Sequence, residues 1–126
     1  EMSEDDYLKL GERSVNVQRA IQGREGKKGR ESDIISEFNF TEPVQKSESS
    51  TFGMFNPDLK MPGAGDEIIT RKGTTFDRAA FEKMKDEYYQ LRGWDVKTGL
   101  QTKKKLKELG LGNLSGEMQK KGLLAG

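Results

Sequence analysis

The sequence predicts a mainly α fold: a small multi-helical domain that carries one long, ordered but irregular strap and could also form a short β-hairpin. Two observations support this prediction. Apolar residues recur at three- and four-residue spacing near both ends of the chain, and capping residues precede them. Between these runs, over 24–65, no period persists. We therefore expect a single helical domain over 1–126.

The first helix is predicted over 3–22. Ser3 is placed to cap it, and Asp5 and Asp6 follow in the first turn, where exposed N–H groups favour negative charge. Gly23 is the predicted stop, because glycine readily adopts the left-handed conformation that ends helices. One narrow stripe along this helix is expected to be buried, formed by Tyr7, Leu10, Ser14, Val17 and Ile21.

The strap over 24–65 combines two charged, polar stretches, "GREGKKGRES" and "QKSESS". A structureless segment of this length is unusual inside a compact domain. We expect it to be ordered by lying on another surface. Spaced apolar side chains would dock there, namely Ile34, Ile35, Phe38, Phe40, Phe52, Met54, Phe55 and Met61.

A hairpin over 66–76 could follow the strap, with arms at 68–70 and 74–76 and Gly73 in its turn. Three further helices are predicted over 77–92, 102–109 and 115–121.

Capping and apolar patterns locate these three helices. Asp77 would cap the first of them, with Phe76 and Phe81 at the spacing of a hydrophobic staple. Its predicted buried stripe is Phe81, Met84, Tyr88 and Leu91, and Gly93 would end it. Thr102 would cap the second helix, which should end at Gly110 and turn Leu106, Leu109 and Leu111 inward. Ser115 would cap the third, which should end at Gly122.

The composition excludes most enzyme chemistry within this chain. It contains no cysteine and no histidine. Thiolate nucleophiles, cysteine-ligated metals and the commonest general base are therefore missing. Catalysis would have to use carboxylates, lysine or tyrosine, and a small enzyme of that kind is the weakest hypothesis. No apolar run approaches the roughly 20 residues that span a bilayer, so we expect a cytoplasmic protein without a membrane partner.

Charged segments give no convincing ligand site. Residues 77–126 carry 11 basic and 7 acidic side chains, a net +4, which is modest for a nucleic-acid binder. The lysines at 103–105 fan around a helix, so a solvated face is favoured over nucleic-acid binding. "GREGKKGRES" lacks the spacing of a phosphate loop. Adjacent carboxylates such as those in "DDY" and "KDEYY" do not converge.

The segment "YYQLRGWDVKTGL" (88–100) predicts a structural corner. Trp94 directly follows a glycine stop and is placed to fold back over the last helical turn. Asp95 and Thr98 are typical turn-forming residues. Arg92 could pair with Asp95 or reach the last helix carbonyls. Each residue thus has a structural role, and we name no catalytic, cofactor-binding or metal-binding residue.

Several segments in order carry a family resemblance. "YYQLRGWDVKTGLQTKKKLKELGL" (88–111) closely resembles the C-terminal signature of tungsten-dependent aldehyde ferredoxin oxidoreductases, and "GERSVNVQRAIQGREG" (11–26) is similar to their Gly-Glu-Arg helix. "RESD" (30–33), "EP" (42–43) and "PGAGDEIITRKG" (62–73) resemble the long-loop branch, which includes the catalytic subunit of class II benzoyl-CoA reductase. The sequence departs from the family at Ser36, near which the family often has proline, and at Ser14 and Val15, which replace the bulkier residues usual after Gly-Glu-Arg.

The resemblance implies a C-terminal domain of an oxidoreductase that oxidises aldehydes, or reduces a related acyl substrate, with tungstopterin, a 4Fe-4S cluster and ferredoxin as electron partner. Cluster and pterin ligands of the family lie upstream of this region, so the fragment itself would be inactive. Its expected partners are the remaining domains of the parent, with self-association when isolated. The alternative hypothesis is a stand-alone helical protein-binding module.

Overall fold

A computed structural model describes residues 2–45 and 56–126. Its regular structure is mainly α-helical, as predicted. The chain divides into two compact units, one formed by 1–34 with 82–126 and the other by 35–81. The first unit is therefore built from two separate stretches of sequence. None of the helices in the described ranges is long and apolar enough to cross a membrane.

Helix α1 (Glu4–Arg24) begins with a reciprocal capping box. Ser3 Oγ accepts a hydrogen bond from the Asp6 amide at 3.2 Å, and the Ser3 amide donates to Asp6 Oδ2 at 3.2 Å. Two orphan N–H groups are thus satisfied, as the sequence predicted for Ser3. The predicted stop at Gly23 is wrong, because the helix runs past it. The turn that follows instead places Gly26 at φ +103°.

The strap predicted over 24–65 contains more regular structure than expected. A 3₁₀ turn (Gly29–Ser32) lies in the first unit. In the second unit, helix α2 (Phe38–Thr41) and strand β1 (Lys60–Pro62) interrupt the irregular backbone. The predicted docking residues Phe52, Met54 and Phe55 lie outside the described residues.

The predicted hairpin has the wrong partner strand. Strand β2 (Ile68–Thr70) pairs antiparallel with β1, with Lys60 opposite Thr70 and Pro62 opposite Ile68. The connecting loop closes through the Gly63 amide, which donates to the Glu67 carbonyl at 2.7 Å. Residues 74–76 form no strand. The "PGAGD" loop reverses the chain on the other side of 68–70, and pairing occurs there.

Helix α3 (Arg78–Arg92) starts as predicted, with the Ala80 amide donating to Asp77 Oδ1 at 2.6 Å. Within the second unit, Phe81 lies edge-on to Phe40, with ring centroids 5.7 Å apart. The predicted buried face of α3 is wrong. Met84, Tyr88 and Leu91 are exposed, whereas the buried residues of α3 are Lys85 and Tyr89.

The carboxyl-terminal part of the first unit forms a small apolar core. Strand β3 (Gln101–Thr102) runs parallel to β4 (Leu124–Ala125), and between them lie α4 (Lys103–Glu108), a 3₁₀ turn (Gly112–Leu114) and α5 (Ser115–Lys120). Among the described residues, five buried side chains form this core: Leu106, Leu109, Leu111, Met118 and Leu123. The first three are the leucines that the sequence predicted to be buried. On α1, Val17 and Ala20 pack against this core, whereas Tyr7, Leu10 and Ile21 of the predicted stripe are exposed.

Caps in this part of the chain agree with the sequence in one case and not in the other. Thr102 Oγ1 accepts from the Lys105 amide at 3.2 Å, as predicted. Ser115 is the first residue of α5 rather than its cap, since Leu114 occupies the capping position. The Ser115 hydroxyl is buried without a hydrogen-bond partner among the described residues.

Two loops of the first unit approach closely enough to require glycine. The Arg30 amide donates to the Thr98 carbonyl at 2.7 Å. Gly99 lies at φ +65°, and a Cβ there would stand 2.8 Å from the Arg30 nitrogen and 2.9 Å from Tyr89 Cζ. No side chain fits at this position without displacing backbone.

We therefore expect Gly99→Ala to destabilise the chain by about 2–4 kcal/mol, through left-handed strain and overpacking. The matched control is Gly11→Ala, at a helical site where a Cβ would meet nothing within 4 Å. That change should stabilise the chain by roughly 0.5–1 kcal/mol. Urea unfolding of both variants measures the difference, and equal effects would contradict the close packing of these loops.

Candidate functional site

The corner after α3 folds as the sequence predicted. Gly93 takes φ +64°, and the Trp94 amide then donates to the Tyr89 carbonyl at 2.9 Å. The Trp94 ring lies back over the helix, stacked on Tyr89 at 6.1 Å and edge-on to Tyr88 at 5.7 Å. Trp94 and Tyr89 are almost fully buried, with 6% and 2% of their surfaces exposed. The indole is thus a structural anchor.

The turn beyond Trp94 is held by Asp95. Its Oδ1 accepts from the Thr98 amide at 2.7 Å and from the Thr98 hydroxyl at 2.6 Å, and these hydrogen bonds lower the pKa of Asp95. Arg92 does not take the predicted role beside Asp95. Its guanidinium lies over the Tyr88 ring, 5.2 Å from the centroid.

An ion pair between Arg19 and Asp33 joins this corner to α1. Arg19 donates to Asp33 through both terminal nitrogens, at 2.7 and 2.5 Å, and also to the Gly99 carbonyl at 3.0 Å. The same guanidinium lies 4.9 Å from the centre of the Trp94 ring. A bidentate, charge-assisted pair of this kind fixes orientation as well as distance.

Two side chains of α3 also donate hydrogen bonds to Asp33. Tyr89 donates its hydroxyl to Asp33 Oδ2 at 2.5 Å, and Lys85 Nζ donates to the Asp33 carbonyl at 3.3 Å. Burial would raise the pKa of Asp33, but hydrogen bonds from Arg19 and Tyr89 together hold it below its ordinary value. Burial, reinforced by the bond to the Asp33 carboxylate, raises the pKa of Tyr89. These contacts therefore favour the ionised form of the Asp33 carboxyl group.

Arg30 fastens the 3₁₀ turn to α3. Its guanidinium pairs with Glu82 at 2.6 Å and Asp86 at 2.5 Å, and donates to the Val96 carbonyl at 2.9 Å. It also lies 5.6 Å from the Tyr89 ring centre. Both charged ends of "RESD" thus hold the turn against the corner.

A buried amide relay connects α1 to the start of β3. Asn16 Oδ1 accepts from Trp94 Nε1 at 3.0 Å and from Gln101 Nε2 at 2.6 Å. Gln101 Nε2 also donates to the Asn16 carbonyl at 2.9 Å. Gln101 Oε1 is buried without a partner among the described residues. Together with the Arg19–Asp33 pair and Arg30, this relay forms what we call the polar junction.

Sequence reasoning identified the corner but missed the other half of the polar junction. Asn16 and Arg19 lie beside the predicted apolar stripe of α1, and Lys85 beside that of α3, so an apolar pattern could not select them. One signal was available. The segments "GERSVNVQRAIQGREG", "RESD" and "YYQLRGWDVKTGL" all carry the family resemblance, and the structure brings residues of all three together.

The other candidate sites stay as surface features. Lys105 pairs with Glu12 at 3.3 Å and with Glu108 at 3.2 Å, while Lys103 and Lys104 are exposed on α4. Over residues 2–45 and 56–126, no group of three His, Cys, Asp or Glu side chains could hold a metal ion. The polar junction belongs to a helical domain in which charged and amide side chains join separate backbone segments.

Comparison with known proteins gives this domain its family. The family model described as aldehyde ferredoxin oxidoreductase, domains 2 & 3, matches residues 1–111. The chain therefore belongs to the aldehyde ferredoxin oxidoreductase family, in the part formed by domains 2 and 3 of that enzyme. No curated protein and no solved structure matches the chain.

Removing the Trp94 side chain should test the polar junction directly. We expect Trp94→Ala to lower the free energy of unfolding by about 3–5 kcal/mol, through a cavity and the loss of the Asn16 bond. Trp94→Phe keeps most of the buried volume and should cost clearly less. Chemical denaturation gives both values, and a loss below about 0.5 kcal/mol for the alanine variant would show that the indole is not an anchor.

Tyr89 should make the fold sensitive to alkali. Its pKa is raised above the ordinary value of 10.0 in the folded state. Its contribution to stability is therefore complete below pH 10 and is lost as the pH rises through the raised folded pKa. We expect unfolding free energy to fall more steeply above pH 10 in the native chain than in Tyr89→Phe. Absorbance at 295 nm should also show the last-titrating tyrosinate only in the native chain.

Proposed function

We propose that this chain is the C-terminal structural domain of a tungstopterin, iron–sulfur oxidoreductase that oxidises aldehydes, or reduces a related acyl substrate, with ferredoxin as electron partner. The observation that carries the proposal is the family match over residues 1–111. The domain itself has no catalytic residue in this proposal. Its role is to complete the protein shell of the parent enzyme.

The geometry of the polar junction supports a structural role. Asp33, Glu82 and Asp86 are each paired with a cation, and Tyr89 is committed to Asp33. A general acid or base needs access to substrate and a pKa near the working pH. The directions found here, a lowered carboxyl pKa and a raised phenol pKa, move both groups away from that range.

The donor set of this chain does not fit the cofactors of the proposed parent. Cysteine thiolates hold iron–sulfur clusters, and the sequence contains no cysteine and no histidine. The 4Fe-4S cluster would have to be held by the remaining domains, and in this proposal they hold the tungstopterin as well. We derive no chemical step through either group from these residues.

Placement in the long-loop branch, similar to the catalytic subunit of class II benzoyl-CoA reductase, is also part of the proposal and rests on the sequence resemblance of 62–73. The segment "PGAGDEIITRKG" forms the ordered β1–β2 ribbon, whose strand residues are exposed. A two-stranded ribbon alone is marginally stable in water. Covering by another domain would stabilise it, as a domain of a larger enzyme requires.

The exposure of the predicted docking residues separates this proposal from a stand-alone helical binding module. A self-sufficient module would bury them in a closed core. Of the five that the structure describes, Ile35 and Phe40 are partly buried. The other three, Ile34, Phe38 and Met61, are exposed. Their exposure favours the domain of a larger enzyme, in which neighbouring domains, or a second copy when the fragment is isolated, would cover them.

Metal content and activity of the chain and its full-length parent test the proposed function. We expect the parent, purified without oxygen, to contain tungsten and iron by mass spectrometry and to reduce ferredoxin when an aldehyde is added. The 126-residue chain alone should contain neither metal and show no reduction. Activity in the isolated chain would contradict the structural role, and molybdenum in place of tungsten would correct the metal. A parent without aldehyde or acyl chemistry would contradict the proposal as a whole.

A further inference from the structure

A cleft of about 470 Å³ opens between α1 and α3 in the first unit. Val15, Gln18 and Gln22 line it on the α1 side, and Met84 and Tyr88 on the α3 side, above the polar junction at Trp94. This volume lies within the range of pockets that enclose a ligand or an inserted side chain. The floor is rigid, because the indole is stacked and hydrogen-bonded below it.

One wall of the cleft continues into an apolar strip, which we define as Met84, Tyr88 and Leu91. These side chains are 55%, 41% and 82% exposed. Their spacing places them along one face of α3. Aromatic and methionine side chains gathered at one exposed place are typical of protein contact surfaces.

Polar side chains in the cleft and beside it have free hydrogen-bonding capacity. Among the described residues, the side-chain amides of Gln18 and Gln22, which line the cleft, have no hydrogen-bond partner. Arg92, which lies over the Tyr88 ring beside the cleft, has no carboxylate partner among the same residues. Arg19 and Lys85 are different, because Asp33 and Glu82 already compensate their charges. The uncompensated charge beside the apolar strip is therefore the Arg92 guanidinium, which Tyr88 holds in place.

We propose that the α1–α3 cleft is the docking site for one segment of the parent's remaining domains, in which an apolar side chain is followed by a carboxylate. The apolar side chain lies on Met84 and Tyr88, and the carboxylate pairs with Arg92. The amides of Gln18 and Gln22 bond the backbone of that segment. This inference rests on the proposed function, since it assumes that such domains exist.

The occupant is chosen by complementarity. A small anionic ligand would need the charges of Arg19 and Lys85, which are already committed. A second copy of this chain would bring the same cation, Arg92, to the cleft. A segment that combines apolar and acidic side chains uses the free groups and leaves the polar junction intact. Tyrosine and arginine are also the residues most enriched among those that dominate binding energy at protein interfaces.

Engineered cysteines can test this site, because the chain has none of its own. Met84→Cys reports on the cleft, Leu10→Cys on a different exposed face of α1, and Glu87→Cys on the charged side of α3. Maleimide labelling of each site is followed by peptide mass spectrometry, in the full-length parent and in the 126-residue chain. We expect labelling at position 84 to be at least about tenfold slower in the parent, which corresponds to about 1.4 kcal/mol. Labelling at position 87 should be unchanged.

The pattern of protection separates the two proposals. Protection at position 10 with free labelling at position 84 would overturn the cleft as docking site and leave the proposed function standing. Free labelling at all three positions would overturn both. In the isolated chain, labelling at position 84 that slows as protein concentration rises would assign the cleft to a second copy instead.

Charge reversal tests the chemistry of the segment. In the parent that carries Met84→Cys, Arg92→Glu should speed labelling at position 84 by about tenfold. The new glutamate would lie beside the carboxylate of the docked segment, and the two negative charges repel each other. Lys103→Glu is the matched control, since it reverses an exposed lysine of α4, away from the cleft lining, and should leave the protection unchanged. Equal protection in both variants would overturn the carboxylate part of the proposal.

Discussion

The ion pair between Arg19 and Asp33 is the contact on which the first unit depends. Its guanidinium meets the 3₁₀ turn through Asp33, the corner through the Gly99 carbonyl and the Trp94 ring, and Tyr89 through the shared carboxylate. Partly desolvating two charges is costly, and the cost is offset only when the remaining hydrogen-bonding groups are also satisfied. Arg19 and Asp33 both have such additional hydrogen bonds. Loss of either residue would therefore leave the other as a partly buried charge without its ionic partner. Two distant stretches of sequence are joined in this way without a large apolar core.

The same contact decides which face of α3 is buried. Tyr88 and Tyr89 are neighbours, so about 100° of helical rotation separates them and only one can point into the polar junction. The hydrogen bond to Asp33 selects Tyr89, and Lys85, one turn earlier, follows it inward. The apolar strip is rotated outward as a result. An apolar stripe indicates an amphipathic helix, but it does not say what the stripe contacts, and that explains why the predicted face was wrong.

Local features of the fold could be predicted because they depend on neighbouring residues. The cap at Ser3, the cap at Asp77 and the turn at Asp95 are interactions within four residues, and all three form. The leucines after Thr102 are buried as their spacing indicated. Strand pairing and the polar junction could not be predicted in the same way. They depend on contacts between residues far apart in sequence, for which a single sequence carries no local signal.

Polar bonds in the interior and apolar groups on the surface together explain how one domain can hold a single fold and still associate with other domains. Directional polar bonds hold the interior of the first unit, and these tolerate few alternative arrangements. Exposed aliphatic and aromatic groups such as those of the apolar strip contribute little to that internal fold, because water still contacts them. Their free energy of burial is therefore still available when another surface arrives. A domain stabilised mainly by its apolar stripes would have no exposed apolar surface left to bury against a partner. Because the polar junction holds the interior, the apolar strip stays available for docking.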